Sequence, residues 1–256
     1  MKEDQFPIVD ISMFIQSKSK GFVNADEISK ETAQELLKGF SEWGFIYLKG
    51  HPIPEDIIEQ MFKESEKFFK QPLEEKNKVL MDISNTEYSF GYVPFMMQTF
   101  EKSKPFDLKE AFDYMHHMKP DMLANLPEQF QKLFKDFYNK CHELILNIFQ
   151  LLSNALKIKD ENLFKKAHNK IGNLGNTTAL RSLYYPGLDN KSILPEQKRC
   201  GEHSDYGTLT LLFQNANGLE VIIIKIGFNL LCLSRIQDIL QPIRIPRGSV
   251  AEWSKC

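Results

Sequence analysis

An apolar stripe between about Pro127 and Leu156 is the clearest pattern in the sequence. Its apolar residues recur every three or four positions, as they do on the buried face of an amphipathic helix. They are Phe130, Leu133, Phe134, Phe137, Cys141, Ile145, Ile148 and Leu152. A surface that lines a ligand is an alternative, but spacing this regular is typical of a helix that packs in a core. The stripe therefore predicts a long core helix, and we assign it no chemistry.

The first third of the chain predicts shorter helices around one short strand. An amphipathic stretch opens at Asp26 and runs to Gly44, and residues 44–48 have the composition of a strand. Pro54 is followed by two acidic residues. This pattern is typical of a helix start, because Pro suits the first helical position and acids suit the positive end of the helix dipole. The helix should end near Pro72, and a further short helical piece should follow it.

After Gly172 the pattern changes to short β-type runs separated by Pro, Gly and Asn. The predicted strands are residues 177–185, 199–203, 208–214 and 219–224. Asn217-Gly218 predicts a hairpin turn, since both residue types tolerate positive φ. Helices first and strands later indicate an α+β fold whose strands form a sandwich or jelly roll, rather than an alternating βαβ sheet.

The composition excludes several classes of protein. With 256 residues, 42% of them hydrophobic and 26% charged, the chain can bury a core without disulfide or metal staples. A formal net charge of −2, without a dense block of Lys and Arg, gives no electrostatic footprint for nucleic acid or an anionic membrane. The prediction is a small-molecule partner, while the oligomeric state stays open.

The cysteines and the most apolar segment predict a cytoplasmic location. The four cysteines are scattered and form no C-x-x-C pair, which fits reduced thiols. The first six residues turn acidic at once and lack the apolar stretch of a secretory signal. The most apolar run, Val221 to Leu233, has 13 residues, whereas a membrane-spanning helix needs about 20. No membrane span is predicted.

His203 and Asp205 are the candidate functional residues. Residues two apart in an extended strand point to the same face, so His203 Nε2 and a carboxylate oxygen of Asp205 can converge on one metal ion. An imidazole and a carboxylate together suit ferrous iron. A hydrogen-bonded pair at the end of a strand is the alternative that the two residues alone leave open.

Two adjacent histidines, His116 and His117, form a weaker candidate. In a strand they would point to opposite faces and could not easily share a metal ion. One of the two is a candidate to face a pocket.

Five segments, in this order along the chain, carry a resemblance to a known family. They are Pro7–Ser12, Trp43–His51, Asp107–Asp113, Leu180–Pro186 and His203–Leu212. The second is similar to Gly-Phe-x-Tyr-Leu-x-x-His, the third to Asp-x-Lys-Glu-x-Phe-Asp, and the last to His-x-Asp-x-Gly-x-x-Thr-Leu. The chain thereby resembles the iron(II)- and 2-oxoglutarate-dependent oxygenases of the isopenicillin-N-synthase-like group.

The resemblance implies a double-stranded β-helix with helical N-terminal support. It implies an oxidoreductase, a non-haem dioxygenase that uses Fe(II), 2-oxoglutarate and O2 to hydroxylate or desaturate a small molecule. Iron would be held by two His and one carboxylate, of which His203 and Asp205 match two. Tyr185 matches the tyrosine that helps to hold the carboxylate of the co-substrate. Leu183 stands where plant members have Asn.

The resemblance ends near Val221. No histidine follows His203, so this chain offers no distal imidazole there. Arg247-Gly248-Ser249 fits the family's Arg-x-Ser clamp literally, but no ligand histidine precedes it. Residues 222–256 hold five basic and two acidic residues, against 27 basic and 32 acidic residues before them.

These features suggest three regions. They are an N-terminal oxygenase region at 1–120, the long helix with the first part of the jelly roll at 121–221, and an atypical C-terminal tail at 222–256. We expect a barrel that is short of strands and has unpaired edges. We also expect weak iron binding, because two ligands hold a metal less tightly than three.

Two alternatives to an active oxygenase remain. The first is a catalytically inactive, truncated or mis-spliced family member that lacks the distal His and the clamp. The second is a jelly-roll module for binding ligands, in which His203 and Asp205 only bond to each other. This second alternative leaves the other four segments unexplained.

Overall fold

The computed structural model of the protein describes residues 6–82, 90–99, 103–188, 193–205, 207–216, 218–222, 235–236 and 248–254. These residues fall into two compact units. The first unit comprises residues 6–53 and 140–169, and the second comprises the other described residues.

Helices and strands alternate irregularly along the described chain. The helices are α1 (Ser12–Lys20), α2 (Ala25–Trp43), α3 (Glu55–Phe69), α4 (Leu73–Asn77), α5 (Pro120–Leu123), α6 (Glu128–Ala155) and α7 (Leu163–Ala167). The strands are β1 (Ile8–Asp10), β2 (Tyr47–Lys49), β3 (Gly91–Val93), β4 (Glu110–Tyr114), β5 (Ala179–Tyr185), β6 (Leu211–Gln214), β7 (Val221–Ile222), β8 (Arg235–Ile236) and β9 (Gly248–Ser254).

The first unit joins a short parallel strand pair to helices. β1 pairs with β2 in parallel, with Ile8 opposite Tyr47. α2 buries a stripe with helical spacing that includes Ile28, Thr32 and Leu36. The helix ends where Gly44 adopts the left-handed conformation with φ 73°, which glycine reaches without the steric cost of a side chain.

The second unit is built on a five-stranded antiparallel sheet. Its strand order is β3-β4-β5-β9-β6. β9 therefore pairs on both sides, with Leu180 opposite Trp253 on one side and Leu211 opposite the same residue on the other. β7 and β8 form a separate antiparallel pair. Among the described residues, the tail that follows Val221 thus supplies a strand inside the sheet.

The two faces of this sheet have different surroundings. Side chains alternate along a strand, so Phe112 of β4 faces one way and Ala111 faces the other. Phe112 is fully buried among the rings of Phe68, Phe130 and Phe134, whose centroids lie 4.9, 5.5 and 5.7 Å away. This face is the aromatic core against α3 and the first half of α6. The opposite face carries a smaller apolar cluster of Met81, Val93, Ala111 and Leu183.

β4 buries all five of its residues, including two acids. Glu110 accepts hydrogen bonds from the Lys76 ammonium and the Tyr92 hydroxyl, both at 2.5 Å. Burial and the neighbouring carboxylate raise the pKa of Tyr92, so this hydroxyl stays a donor. The acids are tolerated in the core because each has a charged or hydroxyl partner.

Each predicted helix is present, whereas α1, α5 and α7 were not predicted, and the α+β class is confirmed. The long stripe forms α6, and the amphipathic stretch that ends at Gly44 forms α2. The helix predicted from Pro54 begins at Glu55 and ends at Phe69. Among the described helices, none is sufficiently long and apolar to cross a bilayer.

One prediction for the strands is wrong, and another lies partly outside the described residues. Residues 199–203 do not form a continuous strand. The Gly201 amide bonds to the Asp107 carboxylate, and within these residues only His203 makes a β-bridge. The predicted hairpin is also not formed by the described strands, since β6 pairs with β9 and β7 pairs with β8. Asn217 of the predicted turn lies outside the described residues.

Candidate functional site

His203 and Asp205 lie on an irregular segment between β5 and β6, and their side chains converge. His203 Nε2 is 3.5 Å from Asp205 Oδ1. The side chains are 14% and 22% exposed, so both are largely shielded yet open to solvent on one side. The convergence predicted from strand geometry is therefore present, although the backbone that produces it is not a regular strand.

Hydrogen bonds fix the orientation of both side chains. His203 Nδ1 lies 2.9 Å from the Gly201 carbonyl oxygen. A carbonyl oxygen can only accept, so Nδ1 carries the hydrogen and Nε2 is the atom turned toward Asp205. The Thr210 hydroxyl donates to Asp205 Oδ2 at 2.6 Å, which leaves Oδ1 facing His203. One nitrogen and one oxygen are thus presented to a common point.

The electrostatics of His203 favour the imidazolium in the metal-free protein. Burial acts to lower its pKa, but hydrogen bonds to Asp205, Cys200 and the Gly201 carbonyl outweigh burial and raise the pKa to about 10. A divalent cation that binds Nε2 would therefore displace a proton.

The segment before His203 is anchored to the start of β4. Asp107 Oδ1 accepts the Gly201 amide hydrogen at 3.0 Å. The Lys109 ammonium lies 2.9 Å from Asp107 Oδ2 and 3.2 Å from Cys200 Sγ. The side chains of Asp107 and Lys109 are each 3% exposed. A buried ion pair therefore underlies the segment that carries His203.

Tyr185 is the last residue of β5 and lies on the same face as Leu183. It packs against the small apolar cluster on that face. The Arg199 guanidinium donates to the carbonyl of Pro186 at 2.7 Å. Arg199 therefore ties the chain just after Tyr185 to the segment that leads to His203.

Arg181 occupies the same face of β5 as Leu183 and Tyr185. It makes a bidentate ion pair with Asp113, with Nε to Oδ1 at 2.7 Å and Nη2 to Oδ2 at 2.6 Å. The pair joins β4 to β5 where Asp113 and Arg181 are direct partners in the register.

Sequence reasoning assigned no role to Asp107, Lys109 or Thr210. Asp107 and Lys109 belong to the Asp-x-Lys-Glu-x-Phe-Asp segment, and Thr210 belongs to the segment that begins with His203. Both segments were recognised only as family resemblances. The signal was therefore present, but the contacts that explain it are long-range.

The donor set fits two positions of a ferrous site. A neutral imidazole nitrogen and a carboxylate oxygen are the ligands of the 2-His-1-carboxylate type, and both are here oriented by outer hydrogen bonds. Within the described ranges, no group of three or more His, Cys, Asp or Glu residues could hold a metal ion. Two candidate ligand atoms thus face a common point, and the part of the chain that the structure describes offers no candidate for a third position.

The literal Arg-x-Ser sequence lies at the start of β9. Arg247 is outside the described residues. In the sheet register, Gly248 is opposite Tyr185 and Ser249 is opposite Tyr184. The backbone of Gly248 and Ser249 therefore runs beside the end of β5.

Comparisons with known proteins agree with these features. The family described as non-haem dioxygenase in morphine synthesis, N-terminal, matches residues 6–135. A UPF0676 protein of Schizosaccharomyces pombe is 32% identical over 192 residues, covering 73% of this chain and 58% of that protein. A 2-oxoglutarate-dependent dioxygenase of Talaromyces stipitatus is 28% identical over 235 residues, covering 86% of this chain and 70% of that protein. The chain thus spans less than two thirds of the length of the Schizosaccharomyces relative.

Solved structures show the same likeness. A full-length Neurospora crassa protein crystallised in complex with alpha-KG matches with a TM-score of 0.75 at 28% identity, covering 100% of this chain and 87% of that chain. The same protein was also crystallised with alpha-KG and thymine. Because the family match covers half of the sequence, the chain belongs to the non-haem dioxygenases, within the iron(II)- and 2-oxoglutarate-dependent oxygenases of the isopenicillin-N-synthase-like group.

Proposed function

We propose that this chain is an oxidoreductase, a non-haem iron(II), 2-oxoglutarate-dependent dioxygenase that hydroxylates or desaturates a small molecule with O2. The observation that carries the proposal is the 3.5 Å approach of His203 Nε2 to Asp205 Oδ1. The hydrogen bond from His203 Nδ1 to a carbonyl leaves Nε2 as the nitrogen available to a metal.

The proposed roles follow from these contacts. His203 and Asp205 hold the iron, and Thr210 keeps the carboxylate of Asp205 turned toward it. When bound, the iron supplies the coupling of 2-oxoglutarate oxidation by O2 to the oxidation of a substrate C–H bond. Tyr185 binds a carboxylate of the co-substrate through its hydroxyl. The apolar cluster beneath Tyr185 would help to exclude water from that end of the sheet.

The proposal includes the architecture around the site. The β-strands would form the double-stranded β-helix of the group, with residues 1–120 as the N-terminal region and 222–256 as an atypical tail that adds β9 to the sheet. A small-molecule partner is supported by the Neurospora protein, whose crystals hold alpha-KG and thymine. The balanced charge of the chain supports neither a nucleic-acid nor a membrane partner.

An anaerobic Fe(II) titration, followed by an assay of succinate formed from 2-oxoglutarate in air, tests the proposal. We expect one iron per chain and succinate formation that depends on iron. The His203→Ala variant should lose both. Iron binding without succinate, or succinate that persists in His203→Ala, would contradict the proposed roles.

A second candidate is a family member without catalytic activity. It is favoured by one observation, namely that no histidine follows His203 in this chain. An imidazole and a carboxylate alone should bind iron less tightly than three ligands. The same titration separates the two candidates, because an inactive member would bind iron weakly and form no succinate. The transcript beyond the codon for Val221 adds a second test, since it would encode a later His followed by Arg-x-Ser if a complete parent enzyme exists.

A further inference from the structure

Asp107 and Lys109 form a buried ion pair just before the start of β4. Both side chains are 3% exposed, and taking two charges out of water costs free energy that their attraction only partly offsets. Both residues precede β4 and take no part in its ladder with β5. Instead, each sends a contact to the turn at Cys200 and Gly201. The buried pair is thus directed at the segment that carries His203.

Gly201 connects the ion pair to the imidazole. Its amide hydrogen bonds to Asp107 Oδ1 at 3.0 Å, and its carbonyl accepts the hydrogen of His203 Nδ1 at 2.9 Å. Glycine has the widest backbone freedom of all residues. A hydrogen bond to its amide therefore restricts the backbone conformations that Gly201 can adopt. Asp107 therefore limits the orientations that the Gly201 carbonyl can offer to the ring.

Lys109 restrains the same turn from the preceding residue. Its ammonium donates to Cys200 Sγ at 3.2 Å and holds Asp107 through the ion pair. Cys200 is buried at 7% exposure. Two consecutive residues of the turn are thereby attached to one buried charge pair, while Thr210 performs the corresponding task for Asp205.

We propose that Asp107 and Lys109 are positioning residues for the metal site, which hold the Gly201 turn so that His203 Nε2 faces Asp205. The proposal rests on the proposed function, because it takes His203 and Asp205 as metal ligands. Outer partners that orient a ligand histidine contribute about 10- to 100-fold to metal affinity.

The first test compares metal binding among variants of the full chain. Fe(II) is titrated anaerobically, and Co(II) serves as a spectroscopic probe of ligand geometry. Asp107→Ala should weaken both metals by about 10- to 100-fold and alter the Co(II) absorption. Asp107→Asn retains an oxygen that can accept the Gly201 amide hydrogen and should recover part of the loss. Lys109→Met, which keeps an apolar stem, should weaken binding as well.

Glu110→Gln is the matched control for a purely structural role. Glu110 belongs to the same sequence segment and makes a buried ion pair with Lys76, with side chains 10% and 8% exposed. Glu110→Gln should lower the thermal midpoint while leaving the metal affinity of the folded protein unchanged. Equal losses of affinity in Asp107→Asn and Glu110→Gln at equal loss of stability would overturn the proposal, as would wild-type affinity in Asp107→Ala.

A second measurement does not depend on metal. Nitrogen-15 NMR of the metal-free protein reports the hydrogen on His203 Nδ1. We expect a slowly exchanging hydrogen in the wild type and in Glu110→Gln, and rapid exchange in Asp107→Ala. A protein that binds no metal but shows this difference would contradict the proposed function and support the positioning role. Identical exchange in all three proteins would refute the positioning role.

Discussion

His203 Nε2 and Asp205 Oδ1 approach to 3.5 Å from an irregular segment, because each side chain is held from behind by a separate hydrogen bond. Gly201 fixes the ring and Thr210 fixes the carboxylate. Donor atoms that are oriented before a metal arrives lose less conformational freedom when it binds.

Removal of either proposed ligand should abolish stoichiometric iron binding. His203→Ala and Asp205→Ala each leave a single donor. The loss of an outer partner lowers metal affinity about 10- to 100-fold, and the loss of a ligand should lower the iron affinity further. His142→Ala, which removes an imidazole from α6, is the matched control and should bind iron like the wild type. Anaerobic titration measures all three, and normal binding by either ligand variant would remove that residue from the site.

Loss of the Thr210 hydroxyl should weaken metal binding and lower the free energy of unfolding. Thr210→Val keeps the shape of the side chain but removes the donor to Asp205 Oδ2. A hydrogen bond to a charged group contributes about 1.5–3 kcal/mol to the stability of the folded state. Thr210→Ser restores the hydroxyl and should restore the affinity. Iron titration together with thermal unfolding checks this prediction, and it is wrong if Thr210→Ser behaves like Thr210→Val.

Disruption of the ion pair between Asp113 and Arg181 should destabilise the second unit. Asp113→Ala leaves the guanidinium in a site where its side chain is only 14% exposed, without its bidentate partner. Removing one partner of a buried pair costs about 3–5 kcal/mol. The double change Asp113→Leu with Arg181→Met should cost less than Asp113→Ala alone. Urea denaturation gives these free energies of unfolding, and a larger loss in the double variant would contradict the argument.

Truncation of Phe112 should be among the most damaging core changes. Its ring is fully buried against three other aromatic rings. Phe→Ala in such a core lowers the free energy of unfolding by about 3–5 kcal/mol. Phe106→Ala, at a side chain that is 49% exposed, is the control and should cost about 0.5 kcal/mol or less. Equal losses at the two positions would contradict the assignment of the aromatic core.

His117 should make folding sensitive to mild acid. Both ring nitrogens are buried without a hydrogen-bond partner among the residues that the structure describes. Burial, with a contribution from His116, lowers the pKa of His117 below its ordinary value of 6.5. As the pH falls through 6.5 the unfolded chain therefore takes up a proton that the folded chain resists, and the free energy of unfolding decreases.

The His117→Leu variant isolates this contribution to acid sensitivity. Its free energy of unfolding should fall less than that of the wild type between about pH 7.5 and 5.5, because it has no imidazole to protonate. Urea denaturation of both proteins at each pH measures this difference. Above about pH 7.5 the free energies of unfolding of the two proteins should depend on pH in the same way. Parallel curves through the acid range would show that His117 does not contribute.

The helices could be read from the sequence because their signals are local. The spacing in α6 and the glycine that ends α2 depend on residues within a few turns of one another. β4 carries no such signal, since Glu110 and Asp113 give it a polar appearance. Its burial depends on Lys76, 34 positions away, and on Arg181, 68 positions away.

In the candidate site too, local sequence predicted one feature and distant contacts decided another. The spacing of His203 and Asp205 sufficed to predict that their side chains converge. A regular strand is not what orients them, because Asp107, 94 positions earlier in the chain, holds the Gly201 amide. No local pattern reports a contact of that range, so the anchoring residues became visible only in the folded chain.

The iron content of the purified chain after anaerobic Fe(II) loading, measured beside that of Asp205→Ala, tests the metal site at His203 and Asp205 most directly. At saturating Fe(II) we predict about one bound iron per wild-type chain, as in a single metal centre, and far less iron in the variant. Equal iron content in the two proteins would contradict the assignment of His203 and Asp205 as a metal site.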